Sequence, residues 1–121
     1  MTFKNAIELV GIIGSVRHTE VRGRRLCQFT VATNYAYSSK ESGPVIETTW
    51  HDCQYWEKDG KEYPVDLKRG SLVQVCGMLV NQRYTGTDGV QRNSVSIRVH
   101  SVKMIDGEGN LEMEIEKNDK S

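Results

Sequence analysis

Two tryptophans stand six residues apart in the segment 45–56, V-I-E-T-T-W-H-D-C-Q-Y-W. Successive side chains of a β-strand point to opposite faces, so Trp50 and Trp56 would share one face with Asp52 and Gln54. A core face does not normally alternate indole rings with a carboxylate and an amide. The pattern therefore predicts an aromatic surface open to water, on which flat ligands with polar edges could stack. The alternative is that one tryptophan packs under a loop or in a subunit interface.

The opposite face of this strand would carry His51, Cys53 and Tyr55 toward the core, where Cys53 fits as a small buried residue. Cys27, Cys53 and Cys76 are widely separated, and no C-x-x-C pair occurs. This usage favours free thiols in a reducing compartment over a disulfide framework or a zinc site. We therefore expect neither a metal site nor a cofactor.

The charges of the chain are unevenly distributed. Residues 1–105 hold fourteen basic and ten acidic side chains, a net charge of +4, whereas residues 106–121 hold two basic and six acidic side chains, a net charge of −4. The first residues lack the long apolar run of a signal peptide, and no segment approaches the roughly 18 apolar residues of a membrane span. We expect a soluble, intracellular protein that does not associate with membranes.

Alternation of apolar and polar residues predicts five strands separated by turns. In the other strands, alternation groups residues on one face each: Ile7, Leu9, Gly11 and Ile13; Cys27, Phe29 and Val31; Val73, Val75, Gly77 and Leu79; and Val95, Ile97 and Val99, the last three pointing inward. The last strand would point Ser96, Arg98 and His100 outward. Turns are predicted at 22–23, 38–44, 57–60 and 88–89, and only 61–70 could form a short helix, which Pro64 would limit to a turn or two.

Five long strands without a helix of ordinary length predict an all-β domain. A small closed barrel suits this inventory, because closure removes the exposed edges of an open sheet, and a sandwich would usually need more strands. The 121-residue chain is long enough for one such domain. We assign residues 1–106 to it and predict that the acidic residues 107–121 form a short mobile tail.

Several short blocks, in order along the chain, are similar to the bacterial single-stranded DNA-binding protein family. They are N-A-I-E-L-V-G-I-I-G, F-T-V-A-T-N, T-T-W-H, L-K-R-G-S-L-V-Q-V-C-G-M-L and R-Y-T-G-T-D-G-V-Q-R, and they extend from about Asn5 to Ile105. The resemblance implies a five-stranded OB-fold barrel with Greek-key connections, usually assembled as a homotetramer of two dimers. It also implies a non-catalytic cytoplasmic protein, associated with the nucleoid, that coats and protects single-stranded DNA in replication, recombination and repair.

The resemblance assigns roles to individual residues. Family members stack bases on aromatic residues at positions that correspond to Tyr37, Trp50, Trp56 and Tyr84, with Tyr35 as an addition. His51 matches a histidine at a subunit contact, so we interpret it as an oligomer residue. The basic side chains expected to meet phosphates around the aromatic residues are Lys40, Lys58, Arg69, Arg83, Arg92 and Arg24. Arg17 and Arg98 have no assigned role.

Three features depart from the family pattern. The tail is about fifteen residues ending in N-D-K-S, where relatives have a long Gly/Gln/Pro-rich linker whose acidic, hydrophobic-capped tip recruits replication and repair enzymes. The helix between the third and fourth strands is reduced to K-E-Y-P-V-D-L. Two of the four matched stacking positions carry tyrosine, where tryptophan is common.

Three alternatives remain open. A dimeric OB-fold adaptor like the primosomal replication protein N would bind a partner protein, and the letters C-Q-F resemble it. An enzyme would need a constellation of reactive side chains, but His18, His51 and His100 are far apart in the sequence without metal spacing. An OB-fold that binds oligosaccharide would normally be secreted.

Overall fold

Five β-strands make up most of the described chain, which comprises residues 2–61 and 63–105 of this computed structural model. They are β1 (Ile7–Val21), β2 (Arg24–Ser39), β3 (Gly43–Trp56), β4 (Leu72–Thr85) and β5 (Gln91–Met104). No helix occurs among these residues, so the predicted all-β class is confirmed. The tail predicted for residues 107–121 lies outside the described residues.

The strands close into a barrel in the order β1-β2-β3-β5-β4. β1 closes the barrel because its first half pairs with β4 and its second half pairs with β2, both antiparallel. β3 and β5 are parallel and pair only at Cys53–Ile97 and Gln54–Arg98. Five strands in this order form the OB-fold barrel, which confirms the fold predicted from the sequence.

The core lies where the alternation of the strands predicts it. Ile13, Val31, Val73, Val75 and Val99 are each 1% exposed or less. Leu67, from the segment between β3 and β4, joins this core, and partly buried Tyr63 packs against it. This segment was the expected place for a short helix, but residues 63–70 form turns instead.

The β4–β5 hairpin corrects part of the inward-facing prediction. Val95 is 59% exposed although it was predicted to point inward, and Leu79 is 48% exposed although it was grouped on one face with the buried Val73 and Val75. β1 pairs with β4 only as far as Gly77, so beyond it the hairpin strands pair with each other, and no other described strand covers this face. Ser96, predicted to face outward, is buried beside the point where β5 meets β3.

One predicted loop is shorter in the structure, and one predicted turn is found where the sequence placed it. β2 and β3 pair as far as Ser39 and Gly43, which reduces the predicted loop 38–44 to a turn at 40–42. The β1–β2 turn lies at Arg22 and Gly23, as predicted, and both residues have positive φ, 54° and 84°. This conformation matches the twist of a tight hairpin, and β1 continues up to the turn, ending at Val21.

A bulge at Gly14 changes the face on which the rest of β1 presents its side chains. The pairing of β1 with β2 shifts between Ile13 and Ser15, so one extra residue lies in β1. Ile13 therefore points inward, Val16 also packs against the core, and Arg17 points outward. Strict alternation across residue 14 would have given Val16 and Arg17 the opposite faces.

Candidate nucleic-acid interface

The outer faces of β1, β2 and β3 present rows of polar side chains between the two tryptophans. In the strand register Trp50 pairs with Ala32, and six residues along β3 Trp56 pairs with Leu26. The two rows between them are Ser15–Thr30–Asp52 and Arg17–Gln28–Gln54. Strand parity predicts the β3 members of this surface, whereas the β1 members depend on the bulge at Gly14.

Trp50 is exposed and is seated on the backbone of β1. Its side chain is 60% exposed. A Cβ atom added at Gly14 would overlap Cζ3 of Trp50 and lie 2.9 Å from Cη2, so the edge of the six-membered ring occupies the space above this glycine. Oγ1 of Thr30 would lie 2.9 Å from the same point. The ring is therefore held at one edge while much of its surface stays open to water.

Trp56 is half-buried and lies opposite Leu26, which is 7% exposed. Directly opposed residues of antiparallel strands bring their Cβ atoms within about 4.5–5.5 Å, so the indole covers this leucine. Neither tryptophan is sealed in the barrel interior. Trp50 offers more surface to a ligand than Trp56 does.

A cleft of about 500 Å³, which we call the polar cleft, opens between the outer faces of β1–β3 and the start of β5. Its polar lining includes Arg17, Gln28, Asp52 and Gln54 from the sheet, together with Ser94 and Ser96 from β5. Nη2 of Arg17 donates a hydrogen bond to Oε1 of Gln28 at 2.7 Å. Within the described part of the chain, the exposed carboxylate of Asp52 accepts no hydrogen bond and forms no ion pair.

Tyr84 lies on the β4–β5 hairpin, toward the turn from the two β5 serines of the polar cleft. It is 50% exposed and pairs with Arg92, two residues along β5 from Ser94. Side chains two apart on a strand share a face, so Tyr84 lies on the same side of the hairpin as Ser94 and Ser96. Three of the five predicted stacking residues, Trp50, Trp56 and Tyr84, therefore share strand faces with residues that line the polar cleft, although none of the three lines it.

Tyr35 and Tyr37 lie on the other face of the β2–β3 ribbon. Their register partners are Glu47 and Val45, which alternate with Trp50 along β3. The two rings are 5.7 Å apart between centroids, and the Tyr37 hydroxyl donates to Oε2 of Glu47 at 3.3 Å. Tyr35 is 66% exposed and Tyr37 39%. These two aromatic residues therefore form a second exposed surface, separate from the polar cleft.

The six basic residues predicted to meet phosphates are scattered. Lys40 lies in the turn 40–42, Arg69 lies in the turn before β4, and both are exposed. Arg83 is exposed on the face of the hairpin opposite Tyr84. Lys40, Arg69 and Arg83 therefore do not form a cluster around the two tryptophans.

The remaining three contact other protein groups. Nζ of Lys58 lies 5.5 Å from the ring centroid of Tyr55. Nη2 of Arg92 forms an ion pair with Oδ2 of Asp88 at 2.6 Å, and Nη2 of Arg24 donates to the carbonyl oxygen of Glu57 at 3.1 Å. The sequence assigned no role to Arg17, yet Arg17 is the basic residue that lines the polar cleft. Knowledge of the bulge at Gly14 would have placed it there.

His51 lies on the face of β3 opposite Trp50 and is half-buried. Its Nε2 is 2.9 Å from Oγ1 of Thr33 on β2. This contact fixes the ring on the ribbon. The role of His51 at a subunit contact stays a prediction.

A cluster around Tyr63 closes the end of the barrel where the family helix is reduced. The guanidinium carbon of Arg25 lies 4.1 Å from the ring centroid of Tyr63, and Nδ1 of His18 lies 3.2 Å from its hydroxyl oxygen. Arg25 also pairs with Glu57 at 3.1 Å. Hydrogen bonds from the backbone and side chain of Arg25 lower the pKa of Glu57, and burial raises the pKa of Tyr63. Turns and side chains thus replace a helix here.

The buried thiols are held in their neutral form. Burial raises the pKa of Cys27 to about 11 and that of Cys53 to about 12, with the charge of nearby Asp52 adding to the shift of Cys53. A neutral thiol is a poor nucleophile. Both cysteines therefore behave as small core residues, the role that strand parity predicts for Cys53.

Within residues 2–61 and 63–105, no three His, Cys, Asp or Glu side chains are close enough together to hold a metal ion. Nor do these residues form a helix that is long and apolar enough to cross a membrane. The site consists of exposed aromatic rings beside a polar cleft on an OB-fold barrel, which defines a class of ligand-binding β-barrel proteins.

Comparison with known sequences identifies the family within that class. Residues 4–105 match the single-strand binding protein family, and the chain belongs to this family. It is 32% identical over 107 residues to the single-stranded DNA-binding protein of Neisseria meningitidis serogroup A, a match that covers 85% of this chain and 60% of the relative. It is 31% identical over 106 residues to single-stranded DNA-binding protein 1 of Synechocystis, covering 84% and 83%. The resemblance seen in the sequence is thereby confirmed.

Solved structures show the same fold. The Plasmodium falciparum SSB complex with ssDNA superposes with a TM-score of 0.75 at 19% identity, covering 88% of this chain and 98% of that chain. A deletion mutant of the single-stranded DNA binding protein from Thermus aquaticus superposes with a TM-score of 0.73 at 18% identity, covering 88% and 52%. The chain spans about 60% of the length of the Neisseria relative.

Proposed function

We propose that this protein binds single-stranded DNA without a strict sequence requirement and coats and protects it during replication, recombination and repair. The observation that carries the proposal is Trp50, which is 60% exposed beside the polar cleft. Bases have flat faces and polar edges, the combination that this surface complements. Duplex DNA hides those faces within its stack, so the site favours unpaired strands. The names of the relatives support the same ligand.

Stacking and phosphate contacts would share the binding energy. Stacking on an aromatic side chain contributes about 1–3 kcal/mol per base, so Trp50, Trp56 and Tyr84 supply several kcal/mol around one cleft. Lys40, Lys58, Arg69, Arg83, Arg92 and Arg24 are the proposed phosphate contacts, and each contact adds about −0.7 to the slope of log affinity against log salt. Tyr35 and Tyr37 would stack bases on the opposite face of the β2–β3 ribbon, so a long strand would pass around it.

The protein is proposed to act as a homotetramer, with a dimer as the alternative and with His51 at a subunit contact. The molar mass in solution distinguishes these states. It also tests the alternative that the protein is a dimeric adaptor for a partner protein, which would bind DNA weakly. The relatives are named for DNA binding, which favours the coating function. We place this function in the cytoplasm at the nucleoid, where the DNA is. Recruitment of replication and repair enzymes would require a protein-binding segment as well.

Titration of intrinsic fluorescence with oligo-dT tests the proposal directly. Binding should quench the tryptophan emission, and Trp50→Ala should weaken binding by about 1–3 kcal/mol while leaving thermal unfolding nearly unchanged. Phe3→Ala is the matched control, because Phe3 is an 87% exposed aromatic residue that precedes β1 and does not line the polar cleft. A wild-type protein that shows no quenching at low salt, or a Trp50→Ala variant with unchanged affinity, would contradict the proposal.

Catalysis is tested in the same mixtures. We propose that the protein acts by binding alone, so single-stranded DNA incubated with it and magnesium should stay intact over hours. Metal-dependent cleavage that copurifies with the protein and is lost in a cleft variant such as Gln54→Ala would contradict this part of the proposal.

A further inference from the structure

The two tryptophans of β3 are too far apart to stack neighbouring bases. Six residues at about 3.3 Å each separate Trp50 from Trp56 by roughly 20 Å, whereas successive bases of a duplex strand lie about 3.4 Å apart. A strand that contacts both indoles must therefore carry further bases between them. Those bases would lie over the polar cleft, where side chains can meet their edges.

Asp52 is not explained by phosphate binding. It follows Trp50 by two residues on the same face, lines the polar cleft and is exposed. A carboxylate repels the phosphates of a bound strand. It can stabilise the complex only by accepting hydrogen bonds, and the donors that single-stranded DNA offers along its length are the N–H groups of base edges.

Guanine is the base that matches this carboxylate. Its Watson–Crick edge has two adjacent donors, N1–H and the exocyclic N2 amino group, which can meet the two carboxylate oxygens together. Cytosine and adenine place a ring-nitrogen acceptor beside their amino group, and thymine has one N–H between two carbonyl oxygens. These three bases can each offer Asp52 a single hydrogen bond.

A basic side chain on the same sheet face of the polar cleft complements the neighbouring edge of guanine. Arg17 lies on β1 and Asp52 lies on β3, two strand spacings across the sheet and two residues along it. This separation of roughly 12 Å leaves room for a base between their side chains. One of the N–H groups of Arg17 is used by Oε1 of Gln28, and a guanidinium has five. Its remaining donors suit O6 and N7 of guanine, the acceptors that arginine most often contacts in DNA.

We propose that the polar cleft is a guanine-preferring subsite within an otherwise sequence-tolerant surface, with Asp52 accepting from N1–H and N2–H and Arg17 donating to O6 and N7. The inference rests on the proposed function, because it requires a single strand to pass over β3. The stacking residues supply affinity for any base, and Asp52 adds a preference at one position.

The test compares oligonucleotides that differ by one exocyclic group. An oligo-dT with guanine at every fourth position is titrated beside the same oligonucleotide carrying inosine, which keeps N1–H and O6 but lacks the N2 amino group. Spaced guanines also avoid four-stranded structures. The guanine oligonucleotide should bind about fivefold more tightly than the inosine one, the lower end of the range for base discrimination because the cleft is open to water.

Variants assign the preference to Asp52. Asp52→Asn keeps the shape of the side chain but pairs one acceptor with one donor, so the guanine-to-inosine affinity ratio should fall to about one. Asp66→Asn is the matched control, because Asp66 is exposed in the segment between β3 and β4 and does not line the polar cleft. It should retain the wild-type ratio.

The outcomes separate the two proposals. Equal binding of the guanine and inosine oligonucleotides by a wild-type protein that binds both would overturn the guanine subsite and leave the proposed function standing. A preference that survives in Asp52→Asn would also overturn it. Wild-type protein that binds none of the oligonucleotides would overturn the proposed function itself.

Discussion

The indole of Trp50 lies over Gly14, so a residue without a side chain in β1 supports an exposed aromatic ring of β3. A Cβ atom at Gly14 would overlap Cζ3 of Trp50. β2 lies between these strands and contributes Thr30, whose hydroxyl oxygen accepts from the backbone N–H of Ser15 at 3.0 Å. The orientation of the ring is thus set by all three strands.

Gly14→Ala should displace the Trp50 ring and weaken binding of oligo-dT by about 1 kcal/mol, part of the energy of one stacked base. Near-ultraviolet circular dichroism should report the moved indole. The double variant Gly14→Ala/Trp50→Ala should bind no more weakly than Trp50→Ala alone, because both changes act on the same ring. Fully additive losses would show that Gly14 acts elsewhere.

The effect of replacing each aromatic residue should depend on the length of the DNA, because these residues lie on two different surfaces of the protein. Trp50→Ala and Tyr84→Ala should weaken short oligo-dT that spans only the polar cleft, by about 1–3 kcal/mol each. Tyr35→Ala and Tyr37→Ala should leave short oligonucleotides unaffected and weaken longer ones. Fluorescence anisotropy across a length series measures this. Equal losses for all four variants at every length would contradict the division into two surfaces.

Cys53 should make the fold sensitive to alkali. Its pKa is raised from about 8.5 in an unfolded chain to about 12, so the folded state favours the neutral thiol. That contribution is complete below about pH 8.5 and is lost as the pH rises toward 12. Urea unfolding at pH 8, 10 and 11 should show falling stability.

The Cys53→Ala variant provides the comparison. It should be less stable at pH 8 because packing is lost, but its stability should decline less steeply with pH. Thiol labelling at neutral pH should modify half-buried Cys76 before Cys27 or Cys53. Rapid labelling of Cys53 in the folded protein would contradict its assignment to the core.

Asn5 continues the β1–β4 pairing by means of its side chain. Oδ1 of Asn5 accepts from the backbone N–H of Leu79 at 2.9 Å, and Nδ2 donates to the Leu79 carbonyl oxygen at 2.8 Å, just beyond the last backbone pair, Ile7–Gly77. Asn5→Ala should cost about 1–2 kcal/mol of unfolding free energy, since two hydrogen bonds are lost. Faster hydrogen exchange at the Leu79 amide should accompany it. Lys4→Ala serves as the control and should change neither measurement.

The alternation of side chains along each strand determined much of the arrangement of inner and outer residues in this protein. The residue types of β3 placed Trp50 and Asp52 outside and Cys53 inside, because a strand must send neighbouring side chains to opposite faces wherever it runs. Turn chemistry placed the β1–β2 turn in the same way, since glycine at position 23 adopts positive φ without steric cost. Alternation within an uninterrupted strand and glycine-containing tight turns are short-range properties, so a linear sequence can carry them.

The tertiary structure decided what depends on pairing between distant segments. The bulge at Gly14 turns Arg17 toward the polar cleft. The pairing of β1 with β4 ends at Gly77, so Leu79 and Val95 are exposed although the alternation around them is typical of a core face. The alternation of apolar and polar residues distinguishes the two faces of a strand, but it does not determine which segment covers either face. Which strand lies alongside, and how far it extends, is fixed only when residues remote in sequence meet in the closed barrel.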